Sequence, residues 1–104
     1  MVKEITENNF EEFTSSEKLT ILKVGADWCG PCQMVKPILE KFSNESEYEV
    51  GSLDAENSRD LSKKLEVSSI PTTFFYKNGE QLGKHIGAFN YSKLEELTNK
   101  YKNK

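Results

Sequence analysis

Apolar residues recur along this chain at two spacings, one suited to strands and one to helices. From Leu19 to Ala26 they are nearly continuous, the pattern of a central strand covered on both faces. Behind that run, Met34, Val35, Ile38, Leu39 and Phe42 repeat at four-residue intervals, marking one face of a helix that Pro37 interrupts and bends. Tyr48 to Leu53 predicts another strand, with Asp54-Ala55-Glu56-Asn57 as the loop after it. Leu61 and Leu65 then stand at helical spacing behind Asn57 or Ser58 as caps. Thr72-Thr73-Phe74-Phe75-Tyr76 is β-branched and aromatic and predicts a strand. Asn78-Gly79 predicts a hairpin, and Gln81 to Ile86 the returning partner. At the two ends, Val2 to Ile5 reads as a short edge strand and Ser92 with Glu95 as a capping box opening a last helix. Asn8 with Glu11 forms the matching pattern for a first helix, whose inner face carries Phe10 and Phe13.

The resulting order, β-α-β-α-β-α-β-β-α, places the chain in the α/β class. Helices between the early strands imply parallel pairing, and the tight hairpin forces one antiparallel pair. The expected architecture is a mixed sheet of about five strands with about four helices on both faces. At 104 residues, one domain spanning 1–104 is the natural expectation. The 36% of hydrophobic residues suffice for a single core, and the net charge of −3 gives no basic footprint for nucleic acid. Lys100, Lys102 and Lys104 suit the end of a solvated helix. No stretch approaches a membrane span and Met1-Val2-Lys3-Glu4-Ile5 begins no apolar leader, so a cytoplasmic protein is expected.

The composition holds two cysteines, both in Trp28-Cys29-Gly30-Pro31-Cys32, where the long apolar strand gives way to a helix. Cysteines three apart on a first helical turn share one face, so their sulfurs can meet without backbone movement. A helix start offers unpaired N–H groups and partial positive charge, which favour a thiolate over a thiol. Pro31 fits there because the first turn needs no N–H from it. The same spacing also serves zinc, but a structural zinc needs four ligands and only His85 is available beside the two cysteines. In a reducing compartment a catalytic dithiol is the better reading. No cofactor is expected beyond the redox-active pair itself, and no catalytic role falls to His85.

With these residues in view, the chain resembles the thioredoxin family nearly end to end. The resemblance rests on Ala26-Asp27-Trp28-Cys29-Gly30-Pro31-Cys32, Pro37-Ile38-Leu39, Ile70-Pro71-Thr72, Lys77-Asn78-Gly79-Glu80 and Ile86-Gly87-Ala88, in order and at matching spacing. It implies a thioredoxin fold and a monomeric protein-disulfide reductase, recharged by a thioredoxin reductase and acting on disulfide-containing client proteins. Cys29 would then be the nucleophile and Cys32 the resolving thiol, with Gly30 and Pro31 tuning the redox balance. Trp28 would shield the pair and face partners, although an ordinary core tryptophan is the alternative. The family pattern further implies a cis Ile70-Pro71 bond facing the cysteines, and a docking rim of Ile86, Gly87 and Ala88. Gly87 also has a simpler reading as a strand-end glycine. A thiol oxidase or isomerase is disfavoured by Gly30-Pro31, and a binding or assembly subunit that borrows the fold is the alternative from another class.

Lys23 departs from the pattern. It lies mid-strand on the Ile21 side of an otherwise buried run, six residues before Cys29, where thioredoxins usually carry a buried Asp. Val50 stands where a lysine often accompanies that Asp, and Asp27 is no obvious substitute. Three readings of Lys23 follow: it snorkels to water, it stays charged near the sulfurs and favours thiolate, or burial leaves a neutral amine to act as base. The charged or snorkelling form, with water moving the proton of Cys32, is the one expected. Gly25 is the second departure, since many relatives carry an aromatic residue there.

Overall fold

The computed structural model describes all residues, 1–104. The elements are β1 (Lys3–Ile5), α1 (Phe10–Thr14), β2 (Thr20–Gly25), α2 (Gly30–Glu45), β3 (Glu49–Asp54), α3 (Arg59–Lys64), β4 (Thr72–Lys77), β5 (Glu80–Ile86) and α4 (Tyr91–Tyr101). The apolar run Leu19–Ala26 yields β2, buried at every position and central in a sheet of order β1-β3-β2-β4-β5. Parallel pairs join β1 to β3 and β3 to β2, and antiparallel pairs join β2 to β4 and β4 to β5. Asn78 and Gly79, at φ 54° and 81°, make the tight turn between the last two strands.

Side chains alternate across β2, so each face of the sheet receives its own core. Ile21 joins Val35, Leu39 and Phe42 of α2, Leu94, Leu97 and Tyr101 of α4, and Phe75 of β4. Leu22 and Val24 turn the other way, to Ile5, Phe13 of α1, Leu53 and Phe74, with half-buried Leu61 and Leu65 of α3 beside them. Each large side chain fully removed from water stabilises the fold by roughly 1.5–3 kcal/mol before conformational entropy is set against it. This fixes α2 on the face that carries Ile21, Lys23 and Gly25.

Several helix starts differ from the capping-box expectation. Asn9, not Asn8, precedes α1, and its side chain serves the loop instead of the helix: Oδ1 accepts from the Thr6 N–H at 2.7 Å and Nδ2 donates to the Glu4 carbonyl. Asn90 caps α4 by accepting from the Lys93 N–H at 2.8 Å, which leaves Ser92 inside the helix. Ser58 precedes α3 as expected, but is buried and makes no capping bond. Met34, placed by periodicity on the inner face of α2, is 67% exposed.

Candidate active site

The chain leaves β2 at Gly25, and the turn that follows is closed by the Cys29 N–H donating to the Ala26 carbonyl. Cys29 is the N-cap of α2, with extended backbone, and Gly30 and Pro31 occupy the next two positions. Cys32 thus stands one turn in, and its N–H donates to Cys29 Sγ at 3.3 Å. A side chain accepting from the third helical N–H is the usual N-cap bond; here sulfur supplies the acceptor. A thiolate accepts such a bond better than a thiol, because charge assists it. The Cys29 thiol in turn faces the Ile70 carbonyl at 3.9 Å. Both cysteines are free thiols. Cys29 keeps 6% of its surface and Cys32 only 1%, so the expected order of accessibility holds. Cys29 is nevertheless more covered than a helix mouth alone implies, since Ala26 and Ile70 pack around the pair.

Around the sulfurs lies an apolar rim drawn from three segments. Trp28 is 71% exposed, which removes the core-tryptophan reading, and its indole N–H donates to Glu56 Oε1. Glu56, in the loop after β3, had no sequence signal tying it to Trp28. The Ile70-Pro71 bond is cis, and the Gly87 N–H donates to the Pro71 carbonyl at 2.8 Å. That bond, with the Thr72–Ile86 pair of the hairpin, draws Ile86-Gly87-Ala88 to the same edge as Ile70. Gly87 has φ 100°, a region that favours glycine, so the turn itself calls for glycine at this point of the rim. Ile86 is 54% exposed, Ala88 is exposed and Ile70 is half-buried, whereas Pro71 is covered. Gly30 and Pro31 are exposed at the tip.

Beneath the pair sit the two departures. Lys23 is 8% exposed, so its side chain does not escape into open water, and it takes no part in the chain's three ion pairs. It lines a cavity of about 390 Å³ between β1, β3 and α2, whose rim carries exposed Asp27, Gln33, Lys36 and Glu40. Burial pushes the Lys23 amine below the ordinary 10.5, and Lys36 adds to this, while Cys32, Asp27 and Cys29 oppose it. Burial likewise pushes the Cys32 thiol up, and its hydrogen bond with Cys29 works in the same direction. Lys23 and Cys32 both close on Gly25, whose lack of a side chain permits it: a Cβ there would stand 2.8 Å from Cys32 Sγ and 3.5 Å from Lys23 Cε. An aromatic side chain at that position is incompatible with this packing.

The lowered amine makes a stability prediction with a definite sign. Between the folded value and 10.5 the unfolded chain binds one more proton, so stability rises with pH through that window. Lys23→Met should therefore stabilise the reduced protein at pH 7 by about 1–2 kcal/mol, since it removes an unpaired buried charge. The gain should shrink as pH climbs toward 10.5, and urea unfolding at several pH values measures it.

His85 packs its ring edge-on against Phe89 and approaches the Ala88 carbonyl at 3.4 Å. No group of three or more His, Cys, Asp or Glu side chains is arranged to hold a metal ion.

An α/β sheet with two thiols at the mouth of a helix, set at the C-terminal end of a central strand, defines a dithiol–disulfide exchange protein. Comparison with known proteins narrows the class. The family model described as Thioredoxin matches residues 1–100. Thioredoxin-1 of Saccharomyces cerevisiae is 37% identical over 84 residues, covering 80% of this chain and 82% of its own. The thioredoxin of Listeria monocytogenes is 39% identical over 103 residues, covering 97% and 99%. Among solved structures, Malassezia sympodialis thioredoxin superposes with a TM-score of 0.88 at 26% identity, covering 98% of this chain and 91% of the other. The chain belongs to the thioredoxin family of thiol–disulfide oxidoreductases.

Proposed function

We propose that this protein is a general protein-disulfide reductase in which Cys29 attacks and Cys32 resolves. The observation that carries this reading is the N-cap arrangement, in which Cys29 Sγ accepts the Cys32 N–H at 3.3 Å beside an exposed apolar rim. As thiolate, Cys29 attacks one sulfur of a client disulfide, forming a mixed disulfide and expelling the other client sulfur as a thiolate that takes a proton from water. Cys32 then loses its proton and attacks Cys29 Sγ. The bond to the client breaks, the second client thiolate leaves and is protonated, and Cys29 and Cys32 end joined. Two electrons have passed from the protein dithiol to the client.

Clients dock on Trp28, Ile70, Ile86, Gly87 and Ala88, with Pro71 setting the shape of the turn beneath them. An extended client segment can pair with the free backbone groups of this rim, as strand addition does elsewhere. Gly30 and Pro31 together set the stiffness of the link between the thiols and so tune the balance of dithiol and disulfide. The redox-active pair is the only redox group in this scheme. A thioredoxin reductase returns the disulfide to dithiol, and the protein works as a cytoplasmic monomer. No helix is long and apolar enough to cross a membrane.

Dithiothreitol-driven insulin reduction tests the reading, because the reagent supplies the electrons and insulin the disulfide. Wild type should shorten the lag before insulin precipitates. A time course identical to the reagent alone would leave a binding or assembly subunit as the better description.

A further inference from the structure

The resting dithiol holds an amine that the exchange chemistry above does not use. Lys23 is buried in the middle of β2 and absent from every ion pair of the chain. A Cβ at Gly25 would lie within 3.5 Å of both Lys23 Cε and the sulfur of Cys32, so the two side chains meet the same glycine. On the sheet Lys23 pairs in register with Ser52 and Thr73, and the Thr73 hydroxyl is itself buried without a partner. Neither of these register partners carries a charge to neutralise an ammonium at position 23.

We propose that Lys23 is a positioning residue for the resolving step, its ammonium supporting the Cys32 thiolate across the bare backbone of Gly25. The proposal rests on Cys32 being the resolving thiol. While Cys32 is protonated, the ammonium is a buried charge in no ion pair, a costly arrangement. When Cys32 ionises, both groups gain a partner at once. The Cys32 proton leaves to water, and the client thiolate expelled in the same step takes one up, so the exchange is balanced. Burial disfavours both charged forms taken singly, and the mutual attraction between Lys23 and Cys32 runs the other way on each. Other charges face the same space: Lys36 and Glu40 from α2, Asp27 from the turn, Asp54 from β3, and Lys3 and Glu4 from β1. Among them Lys36 opposes the Lys23 ammonium and Asp27 favours it.

Stopped-flow reaction of the reduced protein with 5,5′-dithiobis(2-nitrobenzoate) isolates the step. The first release of chromophore reports attack by Cys29, and the second, independent of reagent concentration, reports attack by Cys32. In wild type the second rate should rise with pH to a plateau. Lys23→Met should move that midpoint up by about one pH unit and slow the second release about tenfold at pH 7, with the plateau unchanged. Lys23→Arg should restore the midpoint. Superimposable wild-type and Lys23→Met profiles overturn the proposal, as does a lowered plateau at an unmoved midpoint, which would make the amine the proton acceptor. A wild-type protein with no second phase at any pH would instead sink the assignment of Cys32. A measurement without variants completes the test: the Lys23 13Cε resonance should titrate about one unit higher in the reduced protein than in the disulfide form. Equal midpoints in the two forms overturn the proposal.

Discussion

Cys29→Ser should reduce insulin no faster than dithiothreitol alone, while Cys32→Ser should lose turnover yet accumulate covalent adducts with its clients. The asymmetry follows from the helix. Cys29 sits at the N-cap, where its sulfur receives the Cys32 N–H and retains a strip of accessible surface. It alone can reach a disulfide brought by another molecule. Serine in its place keeps the cap, because a hydroxyl accepts the same bond, so the fold survives while the nucleophile is gone. Cys32, at 1% exposure, meets only what Cys29 already holds. Its replacement leaves the first attack intact and stops the second, and the mixed disulfide then has no internal exit. Turbidity of insulin measures the lost turnover, and mass spectrometry without reductant counts the adducts. Adducts formed by Cys29→Ser instead of Cys32→Ser would reverse the two roles.

The largest loss of stability is expected from Phe75→Ala. Phe75 is fully buried on β4 and belongs to the core that α2 and α4 share with the sheet. Its ring centroid lies 5.0 Å from that of Tyr101, the last residue of α4, so one side chain anchors both the sheet centre and the final helix. Truncation removes the transfer free energy of the ring and leaves a cavity that the surrounding β-strands cannot close, a combined loss of about 3–5 kcal/mol. Against a typical total of about 5–15 kcal/mol, this takes about a fifth of the margin at the least. The urea midpoint should fall with little change in slope. A loss below about 1 kcal/mol would mean that α4 repacks into the space.

Order and type of the elements were legible because each rests on a pattern repeated over many residues, whereas the antiparallel pairing of β2 with β4 was not, since only the hairpin signalled an antiparallel pair. The continuous apolar run gave β2, the four-residue recurrence gave α2, and Asn78-Gly79 gave the hairpin. Helix starts were less legible, since one side chain decides each and several neighbours can serve. Asn9 is drawn off by Thr6 and Glu4, while Asn90 captures α4 before Ser92 can. The dithiol was legible from spacing, and the rim from a resemblance. What lies around Lys23 was not: its place on β2 could be read, but the close approach of Cys32 to Gly25 and the cavity beside Lys23 depend on how α2 settles on the sheet. The same holds for Met34 and Trp28, whose exposure reflects packing that periodicity does not record.

The strand order carries a consequence for the chain during synthesis. β2 is complete at residue 25, yet both its neighbours, β3 and β4, lie downstream, and β4 begins only at Thr72. A ribosome adding roughly 5–20 residues per second leaves Ile21, Leu22 and Val24 without their final partners for several seconds. During that wait the most apolar segment of the nascent polypeptide is a target for chaperones that hold extended, greasy stretches.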